Sequence, residues 1–157
     1  MRTLIMGGTR FVGRHISEAA LAAGHELTLL HRGQSGADLF PAASHLLLDR
    51  DGDLGRLRGT TWDLVIDVCA YRPRQVDALA AVLGDGVGRY VFISSTSVYQ
   101  APAAPGFDES SPVLALPPGP IPDTVTDRTY GPLKVLCEQA AIRHFGPDTL
   151  VVRPTYV

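Results

Sequence analysis

Hydrophobic residues in this chain arrive in six short, β-favouring runs, with stretches of helical spacing between them. The runs are Thr3–Met6, His25–Leu30, His45–Asp49, Trp62–Ala70, Arg89–Ser94 and Thr149–Pro154. The fourth is apolar almost throughout, as a strand covered on both faces requires. A helix is predicted over Phe11–Ala23, closed by Gly24. A second runs from Pro73 to Leu83, where Val76, Leu79, Ala80 and Leu83 make one stripe. A third runs from Tyr130 to about Phe145, with Pro132 near its first turn and Gly146-Pro147 ending it. Gln34–Ser44 reads as a loop or short helix, and Asp53–Arg58 as a short polar helix. Strands alternating with helices in this way predict an α/β domain. Its sheet is doubly wound and mainly parallel, of about six strands, with helices on both faces.

A length of 157 residues fits one domain with a real core. Apolar residues make up 45% and charged residues 19%, the balance of a globular chain rather than a disordered one. A net charge of −2 gives no electrostatic reason to expect nucleic acid. No apolar run approaches the length of a membrane span. Cys69 and Cys137 are isolated thiols with no C-x-x-C pair, which argues against metal and fits a reducing cytoplasm. Between positions 101 and 122 the composition shifts, with seven prolines in the segment. A long Pro-rich loop beside a sheet edge is expected to be a lid or substrate-contacting element, with plain disorder as the alternative.

Three places carry candidate chemistry. In Thr3-Leu4-Ile5-Met6-Gly7-Gly8-Thr9-Arg10-Phe11-Val12-Gly13 a strand stops at two glycines and a helix begins at once. Backbone N–H groups and the positive end of the helix dipole then make a seat for the diphosphate of a dinucleotide; an ordinary tight turn is the alternative. Gly7 and Gly13 lie six apart, and Arg10 stands where a further glycine would. Its guanidinium suits a phosphate, or it is a solvated first-turn residue. The second strand closes on His31-Arg32-Gly33, with no carboxylate for a ribose 2′-hydroxyl. Arg32 there favours the 2′-phosphate of NADP over NAD, unless it merely faces solvent. In the Asp49–Asp53 cluster the acidic spacing lacks the glutamate of a calcium loop, so Asp51 and Asp53 read as turn or cap residues.

The third place is Tyr130-x-x-x-Lys134, two side chains on one helix face. An ammonium near a phenol favours the phenolate, and Tyr130 then exchanges a proton with a carbinol while hydride passes to or from a nicotinamide. Lys134 also suits the nicotinamide ribose. The chain has thirteen arginines, five tyrosines and this one lysine. A lysine placed at random would follow a tyrosine by four in roughly 3% of cases. A hydroxyl from Ser94-Ser95-Thr96-Ser97, ahead of Val98-Tyr99, completes the set by holding the substrate oxygen; satisfying a strand end is the bland alternative.

Taken together, these motifs resemble the short-chain dehydrogenases/reductases, in an atypical form of their extended, NAD(P)-dependent epimerase/dehydratase group. The resemblance covers nearly the whole chain: Gly-rich turn, acidic loop, Ser-rich strand end, Tyr-x-x-x-Lys, then Arg153-Pro154. It implies a Rossmann-like domain binding NADP, with NAD as the second choice. Cofactor contacts would come from Gly7, Thr9, Arg10, Phe11, Val12 and Gly13, from Arg32, from Asp49 and Arg50 beside the adenine, and from Ala70, Tyr130 and Lys134. It maps the polarising hydroxyl onto Ser95, with Ser94 and Thr96 as fallbacks, and makes Tyr130 the acid/base. The implied reaction is that of an epimerase, dehydratase or reductase on a carbinol or ketone, including nucleotide-sugars. Full-length relatives continue into a substrate-binding region, so residues 1–157 are expected to be a truncated cofactor domain. Homodimers form in the superfamily through helices near Pro73 and Tyr130. The rival from another class is a non-catalytic dinucleotide sensor or RNA-binding relative.

Overall fold

The computed structural model describes residues 1–100 and 106–155. Strand β1 (Arg2–Met6) leads through the Gly-rich turn into helix α1 (Phe11–Ala22), followed by β2 (Glu26–His31) and β3 (Ser44–Leu47). After a 3-10 turn at Gly55–Leu57 come β4 (Trp62–Asp67), α2 (Pro73–Leu83) and β5 (Val87–Ile93). A second 3-10 turn (Thr96–Val98) precedes α3 (Asp127–Phe145) and β6 (Leu150–Val152). The six strands form one parallel sheet in the order β3-β2-β1-β4-β5-β6, the doubly wound arrangement expected.

Strand pleating explains how one short sequence serves two cores. Leu4 and Met6 of β1 face one layer with Val65, Tyr90 and Phe92, against Val76, Leu79 and Leu83 of α2 and Cys137, Ala140 and Ala141 of α3. Ile5, between them, faces the other layer with Leu27, Leu29, Ile66 and Ala20 of α1. α1 ends in a Schellman arrangement, with Gly24 at φ +75°, its N–H on Leu21 O and the His25 N–H on Ala20 O.

Several predicted boundaries move: β4 stops at Asp67 rather than Ala70, β5 begins at Val87 rather than Arg89, and β6 spans only Leu150–Val152. The polar helix expected over 53–58 shrinks to one 3-10 turn. α3 begins at Asp127, three residues before the predicted start, because Thr126 and Thr129 form a reciprocal capping box. Pro132 therefore lies inside the helix, where it leaves the carbonyl of the exposed Arg128 without its i+4 donor. Of the Pro-rich segment, residues 101–105 lie outside the described residues. Further along, Arg72 donates to Asp123 O (3.2 Å) and Arg74 pairs with the Asp123 carboxylate (3.4 Å), tying the segment to the start of α2. Among the described residues no helix is long and apolar enough to cross a membrane.

Candidate functional site

The strand order reverses between β1 and β4, and a cleft of about 890 Å³ opens there at the carboxyl ends of the strands. Its floor is the Gly-rich turn. Gly7 and Gly8 hold φ +102° and +98°, a region closed to most side chains. A Cβ on Gly13 would lie 2.8 Å from the Gly8 nitrogen, so α1 can start this close only with glycine there. Ser17, buried on α1, reaches back to within 3.0 Å of Gly8 O and 2.9 Å of Gly13 O and shares its proton between them. Arg10 is the N-cap in extended conformation with no side-chain cap, and no acidic residue follows in the first turn. The first N–H groups of α1 thus have no intrahelical or capping acceptor, and the dipole adds a positive end. That is a seat for an anion. Phe11, exposed and at φ +48°, is a strained residue at the mouth of this seat.

Gly7, Thr9, Arg10, Phe11, Val12, Arg32, Asp49, Arg50, Ser95, Tyr130 and Lys134 all line the one cleft. Gly13 lies beneath the turn rather than on the surface of the cleft. Ala70 is fully buried, and what it contributes is its carbonyl. Arg32 is exposed at the end of β2, and no carboxylate stands beside it in 31–33. Asp49 accepts the Asp51 N–H (3.0 Å). Asp51 in turn takes Arg72 Nη2 (2.7 Å) and the Gln75 amide (3.0 and 2.9 Å).

Arg50 reaches the cleft wall, but its charge is engaged inside the protein. Nη1 and Nη2 grip the Asp67 carboxylate at 2.6 and 2.9 Å, and Nη2 also donates to Gln75 O at 3.1 Å. Tyr90 OH adds a third donor to Asp67 at 2.8 Å. Burial alone would push the Asp67 carboxyl up; the Arg50 guanidinium more than offsets it and holds the group below the usual range. Only Arg50 Nε stays without a partner, so the guanidinium is not free for a phosphate.

Tyr130 and Lys134 occupy one face of α3, as their spacing predicted, though the two side chains reach different depths. The Tyr130 ring is half-buried, with its centroid 6.2 Å from that of Tyr71. Lys134 is 2% exposed. Its Nζ donates to Ala70 O at 3.0 Å and Ile93 O at 2.6 Å, so it bridges the ends of β4 and β5. The ammonium also sits 4.2 Å from the Phe92 ring centroid and 5.6 Å from that of Tyr71. Burial lowers Lys134 to about 8, against the opposing pull of nearby Cys137 and Asp67.

In the Ser-rich turn, Ser95 Oγ accepts the Ser97 N–H (3.1 Å) and donates to Ser97 Oγ (3.1 Å), capping the 3-10 turn. Ser94 Oγ is buried and unpartnered on the same wall. Ser95 thus has a structural task as well as a place in the cleft, while the fallback Ser94 has the unfilled bond.

Some residues of consequence escaped the sequence reading. Gly131 lets α3 settle on the Ser97 carbonyl, which a methyl group would overlap, and so sets Tyr130 beside the Ser-rich turn. A glycine between Tyr130 and Pro132 in a helix start was the available signal. Asp67, a carboxylate inside an apolar run, signalled a buried cation partner. Tyr71, by contrast, is expected from the sequence at the carboxyl end of the Trp62–Ala70 run, where open parallel sheets bind ligands, and it is 42% exposed on the cleft wall. Arg153 anchors the far wall, with bonds to Glu138 (3.0 and 2.7 Å), Tyr99 OH (2.8 Å) and Glu109 O (3.3 Å).

Comparison with known proteins agrees with this geometry. The chain is 32% identical over 114 residues to the chloroplast stem-loop binding protein of 41 kDa b of Arabidopsis thaliana, a match covering 62% of this chain and 30% of that protein. Its fold is similar to UDP-glucuronic acid 4-epimerase from Bacillus cereus in complex with NAD, with TM-score 0.71 and 17% identity over 99% of this chain and 56% of the other. It is likewise similar to the UDP-Glc/GlcNAc 4-epimerase from Campylobacter jejuni, with TM-score 0.74 and 19% identity over 97% of this chain and 52% of the other. The chain therefore spans about half the length of these solved relatives. Residues 3–85, just over half the chain, match the family model. With the Gly-rich turn and the sheet around it inside that match, the chain belongs to the NAD dependent epimerase/dehydratase family.

Proposed function

We propose that this chain is the cofactor domain of an NADP-dependent enzyme that passes hydride to or from a carbinol or ketone, a nucleotide-sugar being the leading substrate class. The single observation that carries the reading is one cleft lined by the Gly-rich anion seat, Ser94, Ser95, Tyr130 and Lys134. An anion seat alone serves any dinucleotide sensor. A phenol open to the same cleft, with an unfilled hydroxyl and a buried ammonium beside it, favours a site where a proton and a hydride move.

In this reading the bound nicotinamide supplies the hydride acceptor or donor. Tyr130 takes or gives the carbinol proton. Ser95, or Ser94 with its unfilled bond, holds the substrate oxygen. Lys134 fixes the ends of β4 and β5 and keeps a positive charge beneath the reacting centre. Arg10 lies over the diphosphate, and Arg32 meets the 2′-phosphate, the group that distinguishes NADP from the NAD named for the structural neighbours. The substrate half of the cleft is proposed to come from chain beyond the cofactor domain, since the solved neighbours are about twice as long.

The test is NADPH and NADH binding, then NADPH turnover on the intact gene product with Tyr130→Phe. Binding retained with turnover lost is the expected result; turnover that survives the substitution removes the mechanism. The relative named for stem-loop binding favours a second reading, a binding protein without chemistry. Tight RNA binding with no nicotinamide affinity decides for that reading.

A further inference from the structure

At the cleft's adenosine end, outside the hydride-transfer set, sit two histidines joined to each other. His31 closes β2 and is buried; His45 lies on the neighbouring β3, opposite Leu29 and so on the same sheet face as His31. The Gly33 N–H donates to His31 Nδ1 at 3.1 Å. A ring nitrogen that accepts a hydrogen bond cannot also carry a proton, so the bonding assigns the neutral His31 proton to Nε2. His31 Nε2 lies 2.8 Å from His45 Nδ1, which is therefore the acceptor. By the same logic His45 carries its proton on Nε2, directed at Phe40 O at 3.3 Å. The three bonds agree on one pair of tautomers, with the two rings edge to face at 5.1 Å.

We infer that His31 and His45 are a cofactor-selecting pair, which denies the ribose 2′-hydroxyl an acceptor and holds Arg32 in place for a 2′-phosphate. The inference rests on the dinucleotide reading above. Two consequences of the bonding carry it. The residue closing β2 is where a carboxylate would take the 2′-hydroxyl. Here that residue has both nitrogens occupied by the protein and nothing left to offer. Meanwhile Gly33, at φ +70°, is pinned two residues from the ring that holds it, which fixes the turn from which Arg32 reaches the cleft. His31 and His45 act on the cofactor through that turn and are positioning residues.

The experiment is titration of the intact gene product with NADPH, NADH and adenosine 2′,5′-bisphosphate, the last carrying a 2′-phosphate without nicotinamide. His45→Leu removes the acceptor and should weaken NADPH and the bisphosphate about tenfold, the worth of one ordered hydrogen bond, with NADH unchanged. His45→Asn, whose Oδ1 stands near the former Nδ1, should restore most of that loss. His31→Asp supplies the missing carboxylate and should turn the preference toward NADH. The inference is overturned if His45→Leu weakens all three ligands alike, or if His31→Asp keeps the wild-type ratio. The second arm decides should His45→Leu fail to fold by thermal melting. Wild-type protein that prefers NADPH while the variants do not change the ratio sinks only this inference. Wild-type protein that binds no dinucleotide sinks the proposed function and this inference with it.

Discussion

Lys134 gives a prediction whose sign and size both follow from its surroundings. The ammonium is 2% exposed, and burial lowers it from 10.5 to about 8. The folded-state pKa lies below the unfolded one, so between pH 8 and 10.5 the unfolded chain binds more protons than the folded one. Stability must then rise with pH across that window and fall as pH drops through about 8. At pH 7 the buried charge costs about 3 kcal/mol, and at pH 9.5 about 1 kcal/mol. The two carbonyls that accept from Nζ favour the charged form and work against this, which makes the difference of about 2 kcal/mol an upper figure. Urea unfolding of the wild type and of Lys134→Met, each at pH 7.0 and 9.5, reads this group with its coupled neighbours Asp67, Cys69 and Cys137, because titrations elsewhere are common to both proteins. The wild type should gain up to about 2 kcal/mol on the variant over that interval. A gap that stays constant with pH, or that moves the other way, refutes the claim that Lys134 is a charge held against its own desolvation.

Other outcomes follow from the same contacts. Asp67→Asn keeps the shape but leaves the buried Arg50 guanidinium unbalanced, so chemical denaturation should show a loss of about 3–5 kcal/mol; replacing both partners with apolar residues should cost far less. Gly131→Ala drives a methyl group into the Ser97 carbonyl and should lift the first turn of α3, costing about 1–3 kcal/mol and weakening NADPH binding. Arg10→Ala should weaken NADPH and NADH equally by about tenfold, as loss of a diphosphate contact would, while Arg32→Ala should weaken NADPH alone. Equal effects from Arg32→Ala on both cofactors would refute its assignment to the 2′-phosphate.

The parts legible in sequence were those with local causes. The six apolar runs gave the six strands because a parallel sheet buries both faces and leaves a continuous apolar signature. The Pro73–Leu83 helix was read to the residue, since proline opens it and Gly84 closes it. Placing Pro132 near the first turn puts the start of α3 at Tyr130, three residues late, because the Thr126–Thr129 capping box opens the helix at Asp127. What stayed hidden required knowledge of which strands are neighbours. Arg50 and Asp67 are seventeen residues apart and meet only because the loop after β3 folds back across β4. His31 and His45 meet only because β2 and β3 pair in a particular register.

That division also explains where the reading of the candidate site is incomplete. Helical periodicity put Tyr130 and Lys134 on one face, and it did. Periodicity carries no information about depth, though, and depth decides chemistry here. The half-buried phenol at 130 is open to a ligand, whereas Lys134 lies one turn deeper with its acceptors at Ile93, which ends β5, and at Ala70, just past β4. An ammonium placed there acts first on the backbone, tying the segment after β4 to the carboxyl end of β5 beside the cleft. Arginine, used at thirteen other positions, has a planar fork too wide for a point between two carbonyls. The compact, three-donor head of lysine fits it, which accounts physically for the one lysine in the chain standing at this position.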